Sequence, residues 1–143
     1  MIESKTGVLT FSQPAVEIGP TLTRSQFQAS PWSKEWEDLV VNEPWHSWRS
    51  VKPYQSMSIS FAIHLFFHGE RLHSVTLGDA DPRFGIAWND WSLEKELKRK
   101  ASHDEWLEKN LGGGRSYSWG SIISVYDDKA GGSSIRVTYK PAP

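Results

Sequence analysis

Between Met57 and Phe67 the chain alternates without a break. Met57, Ile59, Phe61, Ile63, Leu65 and Phe67 fall on one side, with Ser58, Ser60, Ala62, His64 and Phe66 on the other. A period of two is the pattern of a strand with one buried face. Gly69-Glu70 follows, with glycine at the first central position of a type II′ hairpin turn, and Arg71–Leu77 returns as the partner strand. A two-residue turn pairs Phe67 with Leu72 and puts His64 and His73 on one side with Phe66 between them. A three-residue turn pairs Phe67 with His73 and refaces the returning strand.

The other strong pattern has the helical period. Ser92 is a capping residue, Glu94 and Glu96 suit the first turn, and Gly112 supplies a left-handed stop. The helix expected from Ser92 to Leu111 carries Leu93, Leu97, Ala101, Leu107 and Leu111 as an apolar stripe that should lie on a sheet. Trp106 falls nearly opposite that stripe, beside Lys95, Arg99 and Ser102, and is the first candidate for an exposed anchor.

Weaker signals fill the rest. Gly7–Phe11 and Val16–Ile18 read as short strands. Thr23 with Gln26 is a capping box opening a short helix that ends before Pro31. Trp32, Trp36, Leu39 and Val40 have helical spacing, so Trp32–Val41 reads as a further helical turn or two, broken at Asn42-Glu43-Pro44. Trp45–Val51 is a strand, and Gly78–Asn89 a loop rich in Gly, Asp and Pro. Tyr117–Tyr126 and Ser133–Tyr139 form a hairpin around Asp127–Gly132. The expected fold is a single α+β domain over residues 1–143. Its sheet is largely antiparallel, of five to seven strands, with one long helix across it and short helical segments near the N-terminus.

Composition narrows the function. With 143 residues, 38% hydrophobic and 23% charged, the chain can bury a core of its own. A net charge of -1 gives no overall field to recruit nucleic acid or an anionic membrane. No cysteine is present, which excludes disulfides and thiolate chemistry and suits a reducing compartment. The N-terminus has no signal-peptide pattern, and the apolar run Phe61–Phe67 is too short to span a bilayer. A cytoplasmic protein is expected.

Catalytic motifs are missing. His64 and His68 lie four apart, about 13 Å along a strand, too far to share one metal ion. His103 and Asp104 are adjacent on a helix and point apart. Asp79-Ala80-Asp81 lacks the glycine and glutamate of a calcium loop. Gly112-Gly113-Gly114 follows a helix, where a phosphate loop precedes one. No cofactor or metal site is expected, and an enzyme is not the leading reading.

What stands out is 8 Trp, roughly four times the usual share. Tryptophan is enriched at binding hot spots. The candidate partner-binding residues are Trp106, Trp88 and Trp91, with Trp45 and Trp48 as a second patch. Two other readings stay open. One is a small enzyme or ligand site on the His64/His73 face. The other is single-strand nucleic-acid binding by surface Trp, with Arg49, Lys52 and Tyr54 beside Trp45 and Trp48.

The run Trp119-Gly120-Ser121-Ile122-Ile123-Ser124-Val125-Tyr126-Asp127, followed by Gly131-Gly132-Ser133-Ser134-Ile135 and Tyr139, resembles the ending of a largely uncharacterised group of small bacterial proteins. So does Trp88-Asn89-Asp90-Trp91-Ser92 with Glu94–Leu97 and His103–Leu107. The likeness covers Thr6–Tyr139 loosely and the part from Trp88 onward more specifically, and no catalytic residue carries over with it. Proteins of this type are often encoded beside bacterial toxins as immunity proteins. The analogy implies a protein partner, a cognate toxin, bound without catalysis.

Overall fold

The computed structural model describes residues 1–141, with Val40 and Val41 described by backbone alone. A separate ribbon is formed by β1 (Leu9–Ser12) and β2 (Ala15–Ile18). The short helix α1 (Arg24–Ala29) and a 3₁₀ turn (Pro31–Glu35) follow. Next come β3 (Trp36–Asn42), β4 (Trp45–Ser50), β5 (Tyr54–Ser56), β6 (Ile59–His68) and β7 (Arg71–Asp79). Two further 3₁₀ turns (Pro82–Phe84 and Trp88–Asp90) lead into α2 (Leu93–Leu111), and β8 (Ser116–Tyr117), β9 (Gly120–Asp127) and β10 (Gly132–Tyr139) close the chain. The main sheet has eight antiparallel strands in the order β3-β4-β6-β7-β10-β9-β8, with β5 beside β6.

Local chemistry sets the element ends. Thr23 and Gln26 form the reciprocal capping box on α1, with bonds of 3.1 and 3.0 Å. Ser92 Oγ accepts from the Lys95 N–H at 3.1 Å to start α2, and Gly112 ends it at φ 61°. Gly69 turns β6 into β7 at φ 61°, and Glu70 keeps a negative φ, the type II′ form. Pairing of His68 with Arg71 and Phe67 with Leu72 fixes the two-residue register.

One segment departs from expectation. Trp36–Asn42 is the strand β3, not helix, and Glu43-Pro44 is the two-residue turn of a hairpin in which Asn42 pairs with Trp45. Helical spacing of Trp32, Trp36 and Leu39 is a local signal. The free edge of β4 offers main-chain hydrogen bonds over the whole segment, and those decide the outcome. The side chain of Val40, the fourth member of the expected helical face, lies outside the described residues. With β3, β5 and β8 added, the sheet exceeds the expected five to seven strands.

All covering elements lie on one face. Phe61, Ile63, Leu65 and Phe67 meet Leu9, Phe11, Ile18, Phe27, Trp106 and Leu107 in one contiguous core. The opposite face has no second layer among the described residues. No helix of the structure is long and apolar enough to cross a membrane.

Candidate functional site

Helix α2 is rotated about its axis relative to the expected stripe. Its buried residues are Glu96, His103, Trp106 and Leu107, while Leu93 and Leu97 are each 48% exposed and Ala101 is exposed. At 3.6 residues per turn the buried face lies roughly a quarter turn from the leucine stripe, with Leu107 shared by both. Trp106, expected on the surface, is 2% exposed, its ring 5.2 Å from Phe61 in an edge-to-face contact. Trp48 is likewise a core residue, 6% exposed between Phe27 and Phe67. Neither is available to a partner.

Polar groups dictate that rotation. Glu96 Oε1 accepts the Ser133 N–H at 2.9 Å, and its carbonyl accepts Ser133 Oγ–H at 2.7 Å, tying α2 to β10. Arg99 Nη1 donates to the Glu96 carboxylate, Nε to the Asp79 carbonyl at 3.1 Å and Nη2 to the Gly85 carbonyl at 2.6 Å. His103 is fully buried, and its Nε2 accepts the Asp79 N–H at 2.9 Å, so the ring proton sits on Nδ1. These anchors hold the helix at β7 and β10. Leu93 and Leu97 turn outward as a result.

Burial also decides the charge of the rings. His103 is lowered to about 4 by burial, against the pull of Asp79, and His64 is lowered to about 4 by burial and then by Arg49. Both rings are neutral in the fold, whereas the unfolded chain takes up their protons near 6.5. Stability is therefore fully present above 6.5 and falls as pH drops toward 4, below which these groups add no further loss. Urea midpoints measured between about pH 7 and pH 5 should decline steadily. His64→Asn should reduce the decline, and a flat profile would contradict buried neutral rings.

The exposed apolar groups converge elsewhere. Trp88 is 75% exposed and Trp91 39%, with ring centroids 6.3 Å apart. Both rest on the turn between β9 and β10, where Trp91 Nε1 donates to the Gly131 carbonyl at 2.6 Å. Gly131 has φ +70°, and a Cβ there would come within 3.2 Å of the Trp88 ring, so only glycine fits without displacing the indole. The Asp90 carboxylate accepts the N–H of Ala87 at 2.9 Å and of Ile86 at 3.2 Å. Those backbone bonds hold its pKa below the usual carboxylate range. Ile86, also strongly exposed, joins the two indoles around a cavity of about 350 Å³ with Glu96 and Arg99 at its base. Leu93 and Leu97 are exposed on the first turns of α2, which follow directly in the chain. Reasoning from sequence missed Ile86 and put the two leucines in the core. A competing stripe of Glu96, His103 and Trp106 was present at helical spacing, but two of its three members are polar.

The third exposed candidate, Trp45 at 39%, lies on the open side of the sheet with its ring 4.8 Å from His68 and 5.0 Å from His73. His64 stacks on Phe66 at 4.1 Å. Thus His64 and His73 both lie on the open side: Phe67 pairs with Leu72 as in the two-residue register, and a bulge at His73 shifts the pairing beyond it. The depression beside Phe66 has no carboxylate in its lining, so neither ring has an acid partner there. The other basic-aromatic candidates separate: Tyr54 is buried, Arg49 pairs with Glu37 at 2.7 Å, and Lys52 pairs with Glu35 at 3.3 Å.

A cavity of about 520 Å³ lies between α2 and the ends of β6 and β7. Its charges are matched within the wall: Asp81 with Arg83 at 3.4 Å and Glu105 with Lys109 at 3.0 Å. Ser102 Oγ–H donates to Asp79 at 2.7 Å, and no histidine lines the space. Among the described residues no three His, Asp or Glu side chains converge on a metal-binding position. No family model, no curated protein and no solved structure matches the chain.

Proposed function

We propose that this chain is a non-catalytic, cytoplasmic protein-binding protein of the immunity type, which neutralises a bacterial toxin by covering part of it. The observation that carries this reading is the exposed apolar ledge of Ile86, Trp88 and Trp91 around one cavity, followed along the chain by exposed Leu93 and Leu97. Scattered exposed apolar residues need no explanation, whereas a gathered set marks an interaction surface.

The ledge is built stiffly. Trp91 is pinned to Gly131, and Asp90 holds the loop that carries Ile86 and Trp88. Little side-chain and loop freedom remains to be lost when a partner docks, so burial of the indoles turns more fully into affinity. Exposed Glu94 and Lys98, paired at 3.2 Å, give the first turns of α2 a polar margin, as interface rims have.

Capture of the tagged protein's partners from a bacterial host, identified by mass spectrometry, tests the reading directly. One stoichiometric toxin is the expected product. Trp88→Ala should weaken that complex by about 2 kcal/mol or more, roughly 30-fold in Kd. Its melting should stay within about 0.5 kcal/mol of the parent, because the side chain is mostly in water. A toxin bound equally well by Trp88→Ala and Trp91→Ala would move the interface off the ledge, and capture of none would remove the immunity reading.

A further inference from the structure

Side chains directly opposite on neighbouring strands share a face of the sheet. By register, Glu37, Arg49, His64, Thr76, Arg136 and Ile123 form one row across β3, β4, β6, β7, β10 and β9. The neighbouring row of Trp48, Leu65, Val75, Val137 and Ile122 is buried core, so the first row lies on the uncovered side. A bulge in β7 leaves His73 between Ser74, which pairs with Phe66, and Leu72, which pairs with Phe67. The extra residue turns His73 toward Trp45 on this open side. Trp45, Phe66, His73, Ser74, Thr76 and Arg136 then line a shallow depression of about 260 Å³.

The chemistry of that lining is selective. It offers an indole and a phenyl ring, an imidazole, two hydroxyls and one guanidinium, and no carboxylate. Arg136 is exposed and takes part in none of the ion pairs among the described residues. Arg49, in the same row, lies three strand spacings away, about 14 Å, and engages Glu37, the one carboxylate of the row. Ser47 Oγ, His64 Nε2 and His73 Nδ1, all on the strands around Phe66, are buried without a hydrogen-bond partner. The chain's net charge of -1 is a sum over the whole surface, and here the excess is positive.

We propose that this depression binds a nucleotide unit, with the base against Trp45 and Phe66 and the phosphate on Arg136. Flat rings give a stacking platform that tolerates any base, and the guanidinium supplies a planar fork for phosphate oxygens. Ser74 and Thr76 present hydroxyls to a base edge. The depression is shallow and open to solvent, so the nucleotide can be free or part of a single strand. This site lies on the sheet's open side and is independent of the Trp88–Trp91 ledge.

Calorimetric titration with AMP and, separately, with a short oligothymidylate at low salt tests the assignment. At least one should bind, with a Kd of about 1 mM or tighter. Arg136→Gln and Trp45→Leu should each weaken it by roughly fivefold or more, and Trp88→Ala should leave it unchanged. Oligothymidylate binding tighter than AMP and weakening with salt identifies a strand as the ligand, while equal affinities identify the free nucleotide. Circular dichroism melting of both variants checks that each is folded. Absence of binding by both probes overturns the proposal, as does binding that folded Arg136→Gln and Trp45→Leu leave intact.

Discussion

Trp106→Ala should cost about 3–5 kcal/mol, the largest loss expected from truncating an apolar side chain on α2. The indole is 2% exposed, meets Phe61 edge to face and lies one residue from fully buried Leu107. Truncation removes the transfer free energy of a large aromatic side chain and leaves a void that the sheet and helix cannot close. For a domain of this size such a loss lowers the melting temperature by about 10–20 °C. Urea unfolding gives the number. Trp106→Phe keeps most of the volume and should lose much less. A Trp106→Ala protein within about 1 kcal/mol of the parent would mean that α2 does not dock through this face. Loss of partner binding in Trp106→Ala is then to be read as loss of fold. The contrast with Trp88→Ala, which should cost binding and spare stability, separates the two tryptophans.

Glu96→Ala is expected to be comparably severe, at about 3–5 kcal/mol, for a different reason. The carboxylate is nearly inaccessible, accepts the Ser133 N–H and pairs with Arg99, whose side chain is itself mostly buried. Its removal leaves a buried cation without a counter-charge and a buried donor without an acceptor, and those penalties exceed the net value of the pair. Exchange of both partners tests the mechanism. Glu96→Ala with Arg99→Met removes the stranded charge, so the double variant should recover part of what the single one loses. If the double variant falls by the sum of the two singles, the ion pair is not what couples them.

Much of the fold was legible in the chain. The alternation from Met57 to Phe67 named the central strand and its buried face, and Gly69-Glu70 named the turn beyond it. Ser92 and Gly112 marked both ends of α2, and Thr23 with Gln26 marked α1. Each is a local rule, satisfied by residues within a few positions of one another. Two of five candidate tryptophans, Trp106 and Trp48, were misplaced, and so were Leu93, Leu97 and Ala101. The reason is common to all five residues: exposure on an element depends on which way that element is turned against its neighbours. The helical stripe was judged by apolar character alone. The helix in fact docks through Glu96, Arg99 and His103, whose partners at Ser133, Gly85 and Asp79 are distant in sequence.

The same division runs through the candidate sites. An excess of tryptophan and a loop carrying Trp88 and Trp91 could be read directly, as could a hairpin able to bring His64 and His73 to one side. Sequence thereby determined the ends of α1 and α2, the central strand with its buried face, and the α+β class, and it left the hairpin register open between two turns. Tertiary structure alone decided that Trp36–Asn42 is an edge strand, that α2 shows Leu93 and Leu97 to water, and that one sheet face stays uncovered. Those outcomes rest on main-chain pairing and buried polar contacts between distant segments. Short-range periodicity carries no record of such contacts, because the partners meet only once the chain has folded.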